Sequence, residues 1–278
     1  MTYIIHGATG AQGSPVYAAL VAAGHDVTAA VRDASAFDGT AVAVDYSSVP
    51  SLEAAYRGAD GVFIHLPIGT PDQQRAYAEA IVTAVTNAQP TRVVASTSGY
   101  GAATDDDSPV SVLVRGLRAS GVSVAIVEPR LYLENLLLPT VVAPLHDEGV
   151  LRYPLRDDYA VSWSSHLDVA DVVVRLLADH SVTGSVAIGA LPALLGADLA
   201  AGFTAHLGRD VRFEAQDPDD FGALITPLFG TEGTAPVVAG YRWRLTQADD
   251  VIDEARSAQK LLSLEPRSVS QWLRDVGV

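Results

Sequence analysis

An α/β fold built on a doubly wound parallel sheet is what this sequence predicts, and three observations predict it. Residues 3–13 read Tyr3-Ile4-Ile5-His6-Gly7-Ala8-Thr9-Gly10-Ala11-Gln12-Gly13, an apolar strand opening into a turn with glycines three apart. An alanine-rich helix (Ser14 to Ala23) follows, Gly24 stops it, and a second strand runs from Val27 to Val31. Short apolar strands then alternate with amphipathic helices as far as Ile188, the pattern of a parallel sheet with crossover helices. The 278 residues suffice for one large domain, alone or carrying a smaller lobe.

The glycine turn is the element that carries chemistry. Gly7 allows the tight turn off the strand, Gly10 lets backbone approach a pyrophosphate, and Gly13 lets the next helix pack closely on the sheet. That helix points its free N–H groups at the anion, so the β-turn-α-β context predicts dinucleotide binding, with Thr9 and Gln12 in the same turn. Strand two ends at Val31-Arg32-Asp33, where the adenosine ribose is met. Arg32 suits a 2′-phosphate and hence NADP, while the adjacent Asp33 keeps NAD as the alternative.

Strand three is expected over Ala41 to Val44, followed by Asp45, which either accepts from the adenine amino group or caps a turn, and by a helix opening near Ser51. Strand four, Gly61 to His65, runs into Leu66-Pro67-Ile68-Gly69 at the carboxyl edge of the sheet, the edge where such sheets bind ligands. Leu66 and Pro67 are therefore placed on the cofactor. His65 is a candidate catalytic group, against the plainer reading of a satisfied histidine at a strand end. Thr70-Pro71-Asp72 starts a helix that runs to about Asn87 with Tyr77, Ile81, Ala84, Val85 and Ala88 inward.

Strand five, Arg92 to Ala95, leads into the hydroxyl-rich turn Ser96-Thr97-Ser98-Gly99-Tyr100-Gly101 at the same edge. Ser96 is read as a cofactor contact there. An acidic opening, Asp105 to Pro109, complements the start of a helix ending near Ser120, and strand six is Ser123 to Val127. The apolar stretch from Glu128 to Pro139 lines a pocket or belongs to the core. Short strands are expected at Arg152 to Pro154 and Tyr159 to Ser164, a helix from Ser165 to about His180, and a strand at Ser185 to Ile188. Beyond Pro192 come a helix through Ala205, a strand Val211 to Glu214, a helical stretch Asp217 to Leu228, a glycine-bearing loop around Gly230 to Gly233, and a closing helix Ser268 to Asp275.

Composition excludes several classes of function. Lys+Arg 18 against Asp+Glu 33 gives a formal charge of −15, which repels phosphate backbones and argues against nucleic-acid binding. With no cysteine, disulfides, thiolate metal sites and a cysteine nucleophile are absent, and no metal site is expected. Apolar runs fall short of the roughly 20 residues that span a bilayer. A soluble protein of the cytoplasm is the expectation, since no signal peptide is visible.

Several segments together resemble the NmrA-like branch of the atypical short-chain dehydrogenase/reductase superfamily. They are GATGAQG (Gly7 to Gly13), AVRD ending at Asp33, YRGADGVFIHLP (Tyr56 to Pro67), VVASTSGYG (Val93 to Gly101), VEPRLYLENLL (Val127 to Leu137) and HLDVADVV from His166. HLGRDVRFE and the terminal SVSQWLRDVGV extend the resemblance over nearly the whole chain. It implies a Rossmann core over residues 1–130, with 160–190 returning to it, and a small C-terminal substrate-binding lobe from 131–159 and 191–278, with no separate second domain.

The resemblance further implies reduction of a small aromatic substrate, as relatives reduce quinones, aromatic ketones, triphenylmethane dyes and phenylpropanoids; other members sense nicotinamide redox state through a protein partner. One departure shapes the mechanism: the superfamily's Tyr-x-x-x-Lys pair cannot form, because the only lysine is Lys260 and position 256 is Arg256. Without that lysine, Tyr100 is a poor acid near neutral pH, a phenol's ordinary pKa being about 10. A quinone or polycyclic aromatic carbonyl, an aromatic polyketide among them, needs little acid help. Its reduced form, on meeting oxygen, would give net hydroxylation. Ser98, Tyr100, Tyr132 and His65 are the candidates for holding its carbonyl oxygens, with Leu131, Leu136 and Leu137 lining the pocket. An oligomer is compatible with all of this.

Overall fold

In a computed structural model the chain is described over residues 1–100 and 106–278. In chain order the elements are β1 (Thr2–His6), α1 (Gly13–Ala22), β2 (Asp26–Val31), β3 (Ala41–Ala43), α2 (Val49–Tyr56), β4 (Gly61–Ile64), α3 (Pro71–Ala88), β5 (Arg92–Ser96), α4 (Pro109–Ala119) and β6 (Ser123–Pro129). There follow α5 (Pro139–Glu148), β7 (Val150–Tyr153), α6 (His166–Ala178), β8 (Gly184–Ile188), α7 (Gly196–Leu207), β9 (Arg212–Ala215), α8 (Pro218–Leu245), α9 (Ala258–Leu262) and α10 (Val269–Val276). No helix among the described residues is long and apolar enough to cross a membrane.

Two compact units divide the chain. The first holds Met1–Pro129, His166–Ile188 and Ala255–Leu264; the second holds Arg130–Ser165, Gly189–Glu254 and Glu265–Val278. In the first unit seven parallel strands lie in the order β3-β2-β1-β4-β5-β6-β8. Strand order reverses between β1 and β4, so the two strands meet side by side and their following turns diverge to opposite faces. That is the switch point at which open α/β sheets bind ligands. Helices α1 and α6 pack together, and α2 packs on α3 and α3 on α4.

Local rules account for these elements. The central strands β4 and β5 are buried at every residue, as parallel strands covered on both faces are. Thr70 caps α3 reciprocally with Gln73: the Thr70 amide donates to Gln73 Oε1 (3.0 Å) and the Gln73 amide to Thr70 Oγ1 (3.3 Å). Ser48 caps α2 through the Ser51 amide, so that helix opens slightly earlier than the sequence reading places it. Arg92 opens β5 wholly buried, its guanidinium donating to Leu176 O (2.9 Å), Ser123 Oγ (2.8 Å) and Val182 O (2.5 Å). An arginine survives burial there because each donor face meets an acceptor.

The second unit has its own core, with Tyr153, Trp163, Phe203, Phe221 and Trp272 at its centre. Its two-stranded sheet pairs β7 with β9 in parallel, Val150 opposite Arg212 through Tyr153 opposite Ala215. Three expectations change here. Tyr159 to Ser164 is not a strand: Val161 bridges both Leu194 and Asp250, and Ser164 bridges Tyr132, so the segment meets several partners once each and builds no ladder. Residues 139–148 form α5, a helix missed in the Glu128-to-Pro139 reading, ended by Gly149 at φ 69°. The expected loop at Gly230 to Gly233 is instead a one-residue kink, because only Gly230 leaves helical geometry (φ 70°, ψ 169°) and the helix resumes at once. Gly101 of the hydroxyl-rich turn and Asp105 of the acidic opening lie outside the described residues.

Candidate active site

The site in the first unit is built on the turn after β1. Gly7 takes a φ of 62°, and its carbonyl accepts from the Gly10 amide at 2.7 Å, which closes the turn. A Cβ on Gly13 would stand 2.2 Å from Gly7 O and 2.4 Å from His6 O, so α1 begins in direct contact with the strand's backbone. Gly10 differs: a Cβ there would meet only Gly7 O, at 3.3 Å, and Thr9, Gly10 and Ala11 face solvent. The first turn of α1 carries neither a side-chain cap nor an acidic residue; the Ser14 amide donates to Gly10 O (3.0 Å) and Pro15 has no N–H, so no side chain competes with an anion for what remains of the turn's donors. An open glycine face before an uncapped helix fits a dinucleotide pyrophosphate.

Gln12 locks this turn to the one after β5. Its Oε1 accepts from Ser96 Oγ (2.8 Å), its Nε2 donates to Ser98 Oγ (3.0 Å), and the Ser98 amide donates to Ser96 Oγ (3.1 Å). Ser98 holds a left-handed φ of 57°, a conformation that costs a non-glycine residue about 1–2 kcal/mol. Ser96 and Ser98 are thus brought together with Gln12, while Tyr100 is 63% exposed and its amide caps back on Thr97 O at 3.1 Å. Tyr132 belongs to the second unit, where it pairs with Ser164.

Arg32 and Asp33 follow β2, both exposed. Asp33 Oδ1 accepts from the Ser35 amide (3.0 Å) and hydroxyl (2.6 Å), and that hydroxyl chiefly holds its carboxyl below the usual carboxylate range. Arg32 forms no ion pair or hydrogen bond among the described residues. Asp45 behaves like Asp33: Oδ1 accepts from the Ser47 amide (2.9 Å) and hydroxyl (2.6 Å), the capping role. Leu66 and Pro67 are half-buried beyond β4, where Pro67 O accepts from Gln74 Nε2 (3.0 Å), and Ile68 is fully exposed.

Two histidines, His6 and His65, and Tyr46 border the glycine turn, with Tyr56 against His6 and His166 near enough to His65 to feel it. The His65 ring fills the space beside Gly7, its Nε2 only 2.3 Å from where a Gly7 Cβ would stand. That nitrogen is buried with no hydrogen-bond partner, while Nδ1 faces Leu66 O at 3.3 Å. His6, wholly buried, shares a 2.8 Å hydrogen bond between Nε2 and the Tyr56 hydroxyl and meets the Tyr46 ring edge-on. Burial, with a smaller push from His65, holds His6 at a pKa of about 3, and the same two causes hold His166, at the start of α6, at about 4. Burial lowers His65 as well, against the pull of the Leu66 and His6 carbonyls. All three rings are neutral at neutral pH, so the turn is edged by uncharged imidazoles. Tyr46 is pushed up to about 12 by burial, opposed by the Gly7 amide and Arg32, and keeps its proton.

His6, Tyr46 and His166 were not among the sequence candidates. His6 and His166 adjoin or open quoted motifs and Tyr46 lies in none, and an isolated histidine or tyrosine carries no periodicity that signals burial. Among the described residues no group of His, Asp or Glu is arranged to hold a metal ion.

Comparison with known proteins places these features. The model of the NmrA-like family matches residues 2–273. A sequence comparison with curated proteins gave no match. Among solved structures, triphenylmethane reductase of Citrobacter sp. complexed with NADP(H) superposes with a TM-score of 0.80 at 15% identity, covering 99% of both chains. NADPH-dependent quinone oxidoreductase of Escherichia coli complexed with NADPH gives 0.71 at 18%, again covering 99% of both. A nucleoside-diphosphate-sugar epimerase of Staphylococcus aureus gives 0.77 at 20%, covering 99% of this chain and 100% of that one. At these identities the likeness establishes the fold, a parallel Rossmann sheet with flanking helices.

Proposed function

The chain belongs to the NmrA-like family, and on that premise we propose that it is an NAD(P)H-dependent oxidoreductase acting on a quinone or polycyclic aromatic carbonyl compound, with NADP as its cofactor. The observation that carries the proposal is the open glycine face at the β1–β4 switch point, ahead of an uncapped helix. The cofactor supplies a hydride when bound. This chain's own groups do the rest: Gly7, Thr9, Gly10, Gln12 and Gly13 form the pyrophosphate cradle, and Leu66, Pro67 and Ser96 border it. The neutral His65 offers a hydrogen-bonding nitrogen without adding a charge.

Arg32 is the selector for the 2′-phosphate, because Asp33 is committed to Ser35 while Arg32 is not committed to anything. Arg32→Ala is expected to weaken NADPH roughly 10–100-fold, the scale of losing a charge-assisted contact, and to leave NADH nearly unchanged. Parallel titrations read this, and equal loss for both cofactors removes the assignment.

The substrate class rests on the missing Tyr-x-x-x-Lys pair and on the kinds of relative named above. Hydride acceptance by a quinone spreads the charge into the ring system, so orientation and desolvation replace strong acid catalysis. Within the first unit, Ser98, Tyr100 and His65 are the groups proposed to orient the carbonyl oxygens. The hydroxylating outcome needs oxygen as a second reactant, taken up by the reduced substrate.

The test is stopped-flow mixing of protein and NADPH with naphthoquinones and anthraquinones, following nicotinamide absorbance and oxygen uptake together. Many turnovers establish the reductase, and oxygen incorporated stoichiometrically into product selects hydroxylation. Tight cofactor binding without oxidation across the panel points to the other reading, a redox sensor acting through a protein partner.

A further inference from the structure

In a chain of formal charge −15, the second unit gathers two arginines around one carboxylate. Asp250 Oδ1 lies 3.2 Å from Arg130 Nε, and Asp250 Oδ2 lies 3.4 Å from Arg244 Nη2; the three side chains are 19%, 14% and 14% exposed, with Arg130 the first of them. Asp250 is fixed by its backbone, its amide donating to Ala160 O (2.9 Å) and its carbonyl accepting from the Ser162 amide (3.2 Å). That pairing brings Tyr159, the residue before Ala160, to the same place.

The cluster has more donors than acceptors. Beyond Asp250, Arg130 meets no acceptor among the described residues, and its Nη groups are spare. Arg244 Nε is buried without a partner, and so is the Tyr159 hydroxyl. Tyr159 keeps its proton, because burial and the Asp250 carboxylate push its pKa up to about 12. The neighbouring charges do not absorb this surplus. Arg156 lies over the Tyr159 ring but is committed to Asp158 (2.8 Å) and to the carbonyls of Leu245 (2.8 Å) and Gln247 (3.1 Å). Asp249 is exposed and accepts from the Val251 amide at 3.3 Å.

We propose that Arg130, Arg244 and Tyr159 form a binding site for a small organic carboxylate. Two guanidinium groups against one carboxylate leave a single positive charge, which suits a monoanion, and the spare Nη pair of Arg130 is the fork that grips a carboxylate on two oxygens. Buried donors without acceptors otherwise lose their hydration for nothing. The site lies wholly within the second unit and does not rest on the nicotinamide reading.

Calorimetric titration of the full chain with 2-naphthoate, its methyl ester and inorganic phosphate tests the site. The acid is expected to saturate one site, with the ester and phosphate at least tenfold weaker. Arg130→Ala should weaken the acid about 10–100-fold, Arg130→Lys less, and Tyr159→Phe several-fold with no change in melting temperature. If Arg130→Ala proves unfolded, Tyr159→Phe carries the test. Equal binding of acid and ester, preference for phosphate, absence of acid binding, or wild-type affinity in the folded variants overturns the proposal. NADPH titrated alongside keeps the two sites distinguishable, since its affinity should be the same in Tyr159→Phe and wild type.

Discussion

Gly13→Val is expected to leave little folded protein and to abolish dinucleotide binding. A Cβ at this position would stand 2.2 Å from Gly7 O, 2.3 Å from Gly7 C and 2.4 Å from His6 O. These are backbone atoms of the strand end and its turn, so they cannot swing aside as a flexible side chain would. Either α1 lifts off the sheet or the turn opens. Lifting α1 separates it from the strand end and from α6, which packs on it. Overpacking in a core typically costs about 1–3 kcal/mol, and collision with backbone puts this substitution among the exceptional losses of about 4 kcal/mol or more. Thermal melting reads the effect. Gly10→Ala is the matched control, because its Cβ would meet only Gly7 O at 3.3 Å: it should fold and bind NADPH weakly. A Gly13→Val protein that melts within a few degrees of wild type contradicts the packing described for the turn.

Mild acid is expected to destabilise the first unit before any carboxylate titrates. His6 and His166 stand at about 3 and about 4 in the folded protein, against an ordinary histidine value of 6.5. With the folded values depressed, the unfolded chain binds more protons between those limits, so stability rises with pH. The contribution is complete above about pH 6.5 and is lost as pH falls towards the folded values. With a slope that starts near half of about 1.4 kcal/mol per pH unit for each ring at pH 6.5 and approaches that limit below it, the pair removes roughly 3 kcal/mol between pH 6.5 and 5. His65 acts in the same direction. Asp33, Asp45 and Asp179, held low by serine hydroxyls, add their own loss only at lower pH. Urea midpoints measured across this range should fall steeply, and the slope should be shallower in His6→Gln; a flat profile from about pH 7 to 5 shows that the rings are not held neutral.

What was legible in the sequence follows from how local each signal is. The sheet strands of the first unit announce themselves as short apolar runs, and the caps of α3 and α10 lie in a few adjacent residues. Gly7, Gly10 and Gly13 could be given separate duties because a turn between strand and helix has few solutions. The pairing of Gln12 with Ser96 and Ser98 was not legible, since a glutamine 84 residues from its partner leaves no periodic trace. The same holds for His6 and Tyr46, which pack on each other and on Tyr56 of α2 and Tyr77 of α3, residues distant in the chain. In the second unit the misreadings share a cause: Tyr159 to Ser164 has strand-like composition but finds no continuous ladder, and two glycines near Gly230 suggested a loop where one positive φ sufficed. Arg130 sits in the VEPRLYLENLL segment, but Arg244 and Asp250, more than a hundred residues further on, share no motif with it.

The most direct test of the dinucleotide site is titration of the purified full chain with NADPH, followed by quenching of tryptophan and tyrosine fluorescence and repeated with NADH. Saturation at one site per chain is expected, with NADPH at least about tenfold tighter than NADH and Gly10→Ala impaired for both. A folded wild-type protein that binds neither dinucleotide would contradict the assignment of the glycine turn.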